Sequence, residues 1–435
     1  MDSTLLAAGL VVLLFGFLFG GLWVAFSLML VAIVTLAFYS DWSNIGPIVA
    51  TATWGSSAHW TLTSLPLFIW MGEILYRTRL SDDLFHGLSP WVGRLPGGLT
   101  HVNVLGCGIF AAVSGSSTAT CATVGKIALP ELAQRGYPGN LSLGSLSASG
   151  SLGLLIPPSI IMIVYGGAAE VSIAQLFVAG VLPGLMLMAL FSGYIAVWSL
   201  LHPESVPKYV AEKKGIVEAL KATRRMIPIV LLIAFVIGSI YMGIATPTEA
   251  AALGVMGALI LSWSYGLLTR ESFKESLAGA TMTSCMIAFI MAAAAMLSIA
   301  MGFAGIPRGV AETLTGMQLS PYLFLFGLSI IFLILGCFLD GISIVLLTTA
   351  VLIPAVRAYG FDMVWFGIFL IIAIEISMIT PPVGFNLFVV QGLTKKDLFS
   401  IARAAMPFFI LMVIGMVLLA MYPEIATYLP GKIKQ

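Results

Sequence analysis

Two proline pairs, each set in an apolar run beside small residues, are the features of this sequence best suited to hold a ligand. One reads Gly153-Leu154-Leu155-Ile156-Pro157-Pro158-Ser159, the other Met378-Ile379-Thr380-Pro381-Pro382-Val383-Gly384. Proline lacks an amide hydrogen and its ring clashes with the helical turn before it, so a helix entering either pair must break. The break frees backbone carbonyls, hard oxygen donors for a small cation. It also presents the N-terminus of the next half-helix, whose partial positive charge suits an anionic group. The second pair lies 224 positions after the first, and the same shift carries Pro130 onto Pro354 and Pro183 onto Pro407. Interrupted apolar segments at matching places in two halves are the sequence signature of a secondary transporter's binding site.

A second set of oxygens stands ready to face these breaks. The run Val113-Ser114-Gly115-Ser116-Ser117-Thr118-Ala119-Thr120-Cys121-Ala122-Thr123 is the densest polar cluster in an apolar context. Its neighbours Ile109 to Ala112 and Ile127 to Pro130 are too short to span the ~30 Å hydrocarbon core. Two short helices meeting at such a turn predict a re-entrant hairpin, tolerated only where its tip is buried in protein or lines a cavity. The counterpart in the second half is Leu339-Asp340-Gly341-Ile342-Ser343. Hydroxyls of Ser114, Ser116 and Ser117 facing carbonyls of the first break would make one all-oxygen cage. Backbone at Asp340 and Gly341, with Thr380 and the carbonyls before Pro382, would make another. Thr118, Ser159, Gly384 and Asn386 are the candidates for contact with a substrate.

Four acids, Glu73, Glu249, Asp340 and Glu375, sit in apolar surroundings. A charge there costs a few kcal/mol, roughly, and must face protein or water. Asp340, at the second tip, is placed to neutralise a bound sodium ion. Glu249 follows Thr246 in capping-box spacing and Glu73 precedes Arg77 by one turn, so both read as structural. His59, His86, His101 and His202 are scattered, and Cys107, Cys121, Cys285 and Cys337 lack CxxC spacing. No metal constellation, nucleophile elbow, phosphate loop or nucleic-acid motif is present, so neither an enzyme nor a nucleic-acid partner is expected.

The elements that carry these residues follow from composition. The chain has 435 residues, 60% of them hydrophobic and 9% charged. Backbone in lipid must satisfy its own hydrogen bonds, and continuous hydropathy favours helices over a barrel. An all-α polytopic membrane protein is expected. Residues 4–40, free of ionisable groups, are long enough for two helices joined near Gly20-Gly21. The apolar start lacks a basic n-region and does not read as a cleavable signal. The matched prolines predict two repeats, 1–201 and 227–435, around a basic linker, 202–226, placed on the cytoplasmic side by Lys208, Lys213, Lys214, Lys221, Arg224 and Arg225. Scaffold helices are expected at about 4–76 and 228–268, with a hairpin and broken helix at about 100–180 and 320–400. The acidic loop at Glu170 and its basic counterpart at Lys395-Lys396 favour inverted repeats.

Five segments together resemble a known family: Val113 to Thr120, Leu155 to Ser159, Ala168 to Gly184, Thr246 to Ala251 and Thr380 to Gly384. In this order they are similar to the large membrane subunit, the DctM-like permease, of tripartite ATP-independent periplasmic (TRAP) transporters, over essentially the whole chain. The resemblance implies a fold like that of sodium-coupled divalent-anion transporters, with two re-entrant hairpins in a transport domain that moves against a scaffold as an elevator. It implies a bacterial or archaeal inner-membrane symporter that takes an organic anion, such as a dicarboxylate or sialic acid, from a periplasmic binding protein. A small membrane subunit of about four helices would be a separate partner, sodium the coupling ion, and no other cofactor would be needed. The sodium ligands it implies fall on Ser114, Ser116 and Ser117 with backbone near Gly153, Ile156 and Pro158, and on Asp340, Gly341 and Thr380 with backbone near Pro382. A stand-alone sodium/divalent-anion symporter without a binding protein is the alternative reading.

Overall fold

A computed structural model describes residues 3–58, 60–77, 80–207, 223–224 and 226–432. Helices are the regular structure throughout, and no strand occurs among the described residues. The first half contains α1 (Ser3–Phe19), α2 (Val24–Tyr39), α3 (Trp42–Ser57), α4 (Ser64–Tyr76), α5 (Leu80–Val92), α6 (His101–Ser114), α7 (Ser117–Gln134), α8 (Gly139–Ser151), α9 (Ile160–Ala169) and α10 (Ile173–Leu201). The second contains α11 (Ile227–Tyr241), α12 (Pro247–Ser264), α13 (Arg270–Phe303), α14 (Ile306–Gly316), α15 (Pro321–Gly336), α16 (Gly341–Ala358), α17 (Met363–Met378), α18 (Phe385–Thr394) and α19 (Leu398–Met421). A short α20 (Glu424–Thr427) follows.

The two series are the same series. Moved 224 positions along the chain, the bounds of α7 become 341–358, which are those of α16. Likewise α1, α2, α5, α6, α8, α9 and α10 fall on α11, α12, α14, α15, α17, α18 and α19 within a few residues at each end. The exception is α13, a single 34-residue helix where the first half has α3 and α4 separated by a 3-10 turn at Trp60–Thr63. Pro130 and Pro354 lie inside α7 and α16, and Pro183 and Pro407 inside α10 and α19. Even the exits match: α9 ends on Glu170 at φ 55° and α18 on Lys395 at φ 59°.

Contacts between halves also come in exchanged pairs. α7 packs on α18 while α16 packs on α9, and α8 packs on α19 while α17 packs on α10. Exchange of this kind is what a pseudo-two-fold axis produces. Elsewhere α13 runs along α2, α3 and α4, and α12 packs on α4 and α11. The α1–α2 junction is the expected one, with Gly21 at φ 81° closing the turn.

Among the described residues four helices, α10, α13, α16 and α19, are long and apolar enough to cross a membrane, and many shorter apolar helices accompany them. Trp23, Phe38, Trp42, Trp54, Leu231, Ile260 and Trp263 stand exposed around the outside. Large exposed apolar side chains in such number, on helices long enough to span, mark a multi-pass membrane protein. Of the basic linker, Lys208, Lys213, Lys214, Lys221 and Arg225 lie outside the described residues, as do His59 and the N-terminal Met1-Asp2.

Candidate cation and substrate site

The turn between α6 and α7 is made by one glycine and a row of hydroxyls. Gly115 closes α6 at φ 59°, and a Cβ there would press on the Pro158 carbonyl at 2.9 Å, so only glycine fits. Ser116 caps α7, its Oγ accepting from the Ala119 amide at 3.5 Å. Ser114 Oγ lies 2.6 Å from Thr120 Oγ1, and Thr120 donates to the Ser116 carbonyl at 2.7 Å. Ser116 Oγ and Thr118 Oγ1 are 3.3 Å apart. Ser117 turns the other way and donates to Asn386 Oδ1 at 2.8 Å.

The first break lies directly on this tip. After α8 a 3-10 turn covers Leu152–Leu154, and α9 begins only at Ile160. Among the described residues, the carbonyls of Leu155, Ile156, Pro157 and Pro158 accept no hydrogen bond. The Ile160 amide donates to the Gly115 carbonyl at 3.4 Å, and a Cβ on Gly153 would collide with the Ser116 carbonyl. The tip that carries the Ser114 and Ser116 hydroxyls thus packs on a break with four consecutive unbonded carbonyls, the Pro158 carbonyl against Gly115 and the Leu155 carbonyl against Gly180 of α10. That is a neutral, all-oxygen donor set of the kind discontinuous helices offer a small hard cation, and the residues fit a sodium ion.

The second tip is built by an acid instead of a serine. Asp340 caps α16, accepting from the Ile342 amide at 3.1 Å, the Ser343 amide at 3.5 Å and the Ser343 hydroxyl. Its break spans Ile379 to Gly384, and Gly384 sits at φ 42° before α18. The Pro157-Pro158 and Pro381-Pro382 peptide bonds are both cis. Cys337 Sγ reaches the Pro381 carbonyl at 3.7 Å, and Gly336 packs on the Ser377 side chain. Thr380 Oγ1 donates back to the Ile376 carbonyl at 2.7 Å, so tip and break touch through α15 rather than through an Asp340–Thr380 bond. Pro382 is exposed, whereas Pro157 and Pro158 are buried, leaving the second site the more open of the two.

The substrate candidates are held less alike. Thr118 is half-buried at the first tip, while Ser159 is buried and donates to the Leu154 carbonyl. Asn386 is fully buried: Oδ1 accepts from Ser117, and Nδ2 donates to the Ser147 carbonyl at 3.1 Å. It ties α18 to both α7 and α8. A cavity of about 310 Å³ opens instead between α3, α9, α13 and α16, walled by Thr51, Ser56, Gly167, Ser298 and Thr349. Sequence reasoning missed that cavity and missed Thr120. Thr120 had a findable signal: it stands four residues after Ser116, the spacing at which a helical hydroxyl reaches the carbonyl one turn back. The structural acids are as expected: Thr246 and Glu249 form a capping box, and Arg77 pairs with Glu73 at 3.4 Å and also with Glu275 on α13.

Apolar helices broken at matched points over polar turns define a helical membrane transporter fold. The whole chain is similar in fold to the crystal structure of the Alcanivorax borkumensis YdaH transporter, with a TM-score of 0.67 over 99% of this chain and 100% of that one, at 12% identity. Residues 11–425 match the family model of the DctM component of the tripartite ATP-independent periplasmic transporters, and this chain belongs to that family. It is 33% identical to the C4-dicarboxylate TRAP transporter large permease protein DctM of Pseudomonas aeruginosa, over 86% of this chain and 87% of that one. It is 29% identical to the sialic acid TRAP transporter large permease protein SiaM of Vibrio cholerae, over 95% of this chain and 96% of that one. These relatives are transport permeases and not enzymes, in agreement with the chemistry absent from the sequence.

Proposed function

We propose that this large permease imports a small organic anion across a bacterial or archaeal inner membrane, driven by sodium. The observation that carries the reading is the first junction, where the broken segment Leu155 to Pro158, its carbonyls without hydrogen bonds, packs on the serine-lined tip, the Pro158 carbonyl against Gly115. Ser114 and Ser116 with backbone at Gly153, Ile156 and Pro158 hold one sodium ion, and Ser117 fixes the tip that carries them through its bond to Asn386. Asp340, Gly341 and Thr380 with backbone at Pro382 hold a second. The carboxylate of the substrate takes the N-termini of the half-helices, near Thr118, Ser159, Gly384 and Asn386.

The substrate is a small organic acid of the class named for the relatives, dicarboxylate or sialic acid. A periplasmic binding protein delivers it, and a small membrane subunit of about four helices completes the complex. The repeats are inverted, the tips are re-entrant, and the hairpins with their broken helices slide as a block against scaffold helices α1–α4 and α11–α12, to which α13, the counterpart of α3 and α4, is added. Sodium orders both tips first, and its preference for the ordered site couples its gradient to substrate binding.

The test is uptake into proteoliposomes holding both membrane subunits, with and without the binding protein, over a range of sodium concentrations. Ser116→Ala combined with Asp340→Ala should raise the sodium concentration needed for half-maximal uptake. Unchanged sodium dependence in a folded double variant rejects the assignment. Full uptake without a binding protein shows a stand-alone symporter.

A further inference from the structure

The first cradle has oxygens but no charge of its own. Its hydroxyls and carbonyls are neutral, so a sodium ion seated there would place a net positive charge in the protein interior. The second tip answers that problem with Asp340. The position matching Asp340 in the first half is Ser116, 224 residues earlier.

One acid is left without a task. Glu375 lies on α17, three residues before the helix ends, and is 0% exposed. Among the described residues neither of its carboxylate oxygens has a hydrogen-bond partner. Arg357 on α16 and Arg403 on α19, the basic residues of the helices packed most closely against α17, form no ion pair with it. An unpaired buried carboxylate is costly, by several kcal/mol or so, and calls for a partner.

Its surroundings say which. Glu375 belongs to the second half, yet its carboxyl group lies against the Leu155 amide in the first break, short of hydrogen-bond geometry. Its neighbour Ile374 is wedged at the same junction: a Cβ on Gly341 would meet Ile374 at 3.0 Å, Ile161 at 3.1 Å and Leu154 at 3.9 Å. Second tip, first break and α17 therefore meet at one point, with Glu375 at the Leu155 amide where the first break begins. The matching position in the first half is Ser151, whose hydroxyl is spent on the Ala148 carbonyl. The buried Glu375 and the half-buried Asp340 thus both come from the second half.

We infer that Glu375 is the counter-charge of the first sodium cradle, lent across the pseudo-two-fold by the other half of the chain. It acts through the backbone of the break as a positioning residue and does not itself ligate the ion. This rests on the sodium reading above and adds a residue to it. It also joins the two ion sites physically, because movement of the second tip at Gly341 displaces the helix that carries the first site's charge.

The test measures binding without transport. Thermal unfolding of the purified full-length protein, in complex with its small membrane subunit where the two co-purify, is followed against sodium chloride, with choline chloride holding ionic strength constant. Glu375→Gln should fold without sodium but raise the midpoint of sodium stabilisation about tenfold, equivalent to about 1.4 kcal/mol of binding. Glu375→Asp, which keeps the charge, should recover most of that loss. A Glu375→Gln midpoint equal to wild type would mean the carboxyl is held neutral by a proton, and overturns the inference alone. Loss of folded protein in Gln, Asp and Ala variants alike, with sodium absent, would make the residue structural and also overturn it. Absence of any sodium stabilisation in the wild-type protein sinks the sodium reading itself.

Discussion

At the scale of single residues, the first tip is held by an amide that reaches it from the opposite half. Asn386 spends its oxygen on Ser117 and its nitrogen on the Ser147 carbonyl, all three residues buried. Removing one partner of a buried hydrogen bond leaves the other desolvated, at about 1–3 kcal/mol. Asn386→Ala should therefore destabilise the protein by that amount, read as a drop in the unfolding temperature of the purified chain. Ser117→Ala should cost less, since Asn386 keeps its bond to Ser147. The double variant should lose less than the sum of the singles, because the two side chains share one bond. Strict additivity would show that the tip does not depend on this link. The sequence placed Asn386 near a substrate by its distance from the second break. The contact to Ser117, 269 positions away, leaves no trace in local spacing.

At the scale of elements, caps and breaks were readable because their rules are local. Thr246 and Glu249 form the capping box their spacing required, and both proline pairs end a helix where the chemistry of proline says they must. Arm lengths were less readable. α16 runs 18 residues from Gly341 to Ala358, about 27 Å at 1.5 Å per residue, nearly a full membrane crossing where a short re-entrant arm was expected. Hydropathy alone marks where a helix can lie and cannot see how its neighbours let it continue. The packing of α8 shows the same limit. Its serines and glycines look like a weak helix, yet the segment is buried from Leu141 to Ser151, where glycine admits a neighbour. At Gly144 a Cβ would collide with the Ala404 carbonyl of α19, whereas Gly392 in α18 has open space. Gly144→Ala should thus destabilise by about 1–3 kcal/mol through overpacking. Gly392→Ala should be neutral or stabilising by about 0.5–1 kcal/mol through helix propensity. Thermal unfolding of the two variants side by side decides it, and equal effects would mean that α8 and α19 separate readily.

At the scale of the whole molecule, four matched prolines announced a duplication that the helix bounds repeat along nearly the entire chain. What they could not announce is how the halves interlock, since exchanged contacts such as α7 on α18 and α16 on α9 join segments far apart in sequence. The same holds for the cavity between α3, α13, α9 and α16, which lies where the proposed scaffold meets the proposed moving block. If the block slides, a covalent tie across that cavity must stop it, while a tie within the scaffold must not. Thr51→Cys on α3 with Thr349→Cys on α16 places one thiol on each wall of the cavity. Phe26→Cys with Phe289→Cys, whose native rings stack edge-on at 5.2 Å between α2 and α13, ties scaffold to scaffold. Both pairs belong in a background with Cys285 and Cys337 changed to serine, since Cys107 and Cys121 are buried. Bridging with a short bifunctional maleimide should abolish sodium-driven uptake in proteoliposomes for the first pair and leave the second near its uncrosslinked rate. Uptake that survives a complete bridge from α3 to α16 would fix the two bodies relative to each other and require transport by local gating of the tips alone.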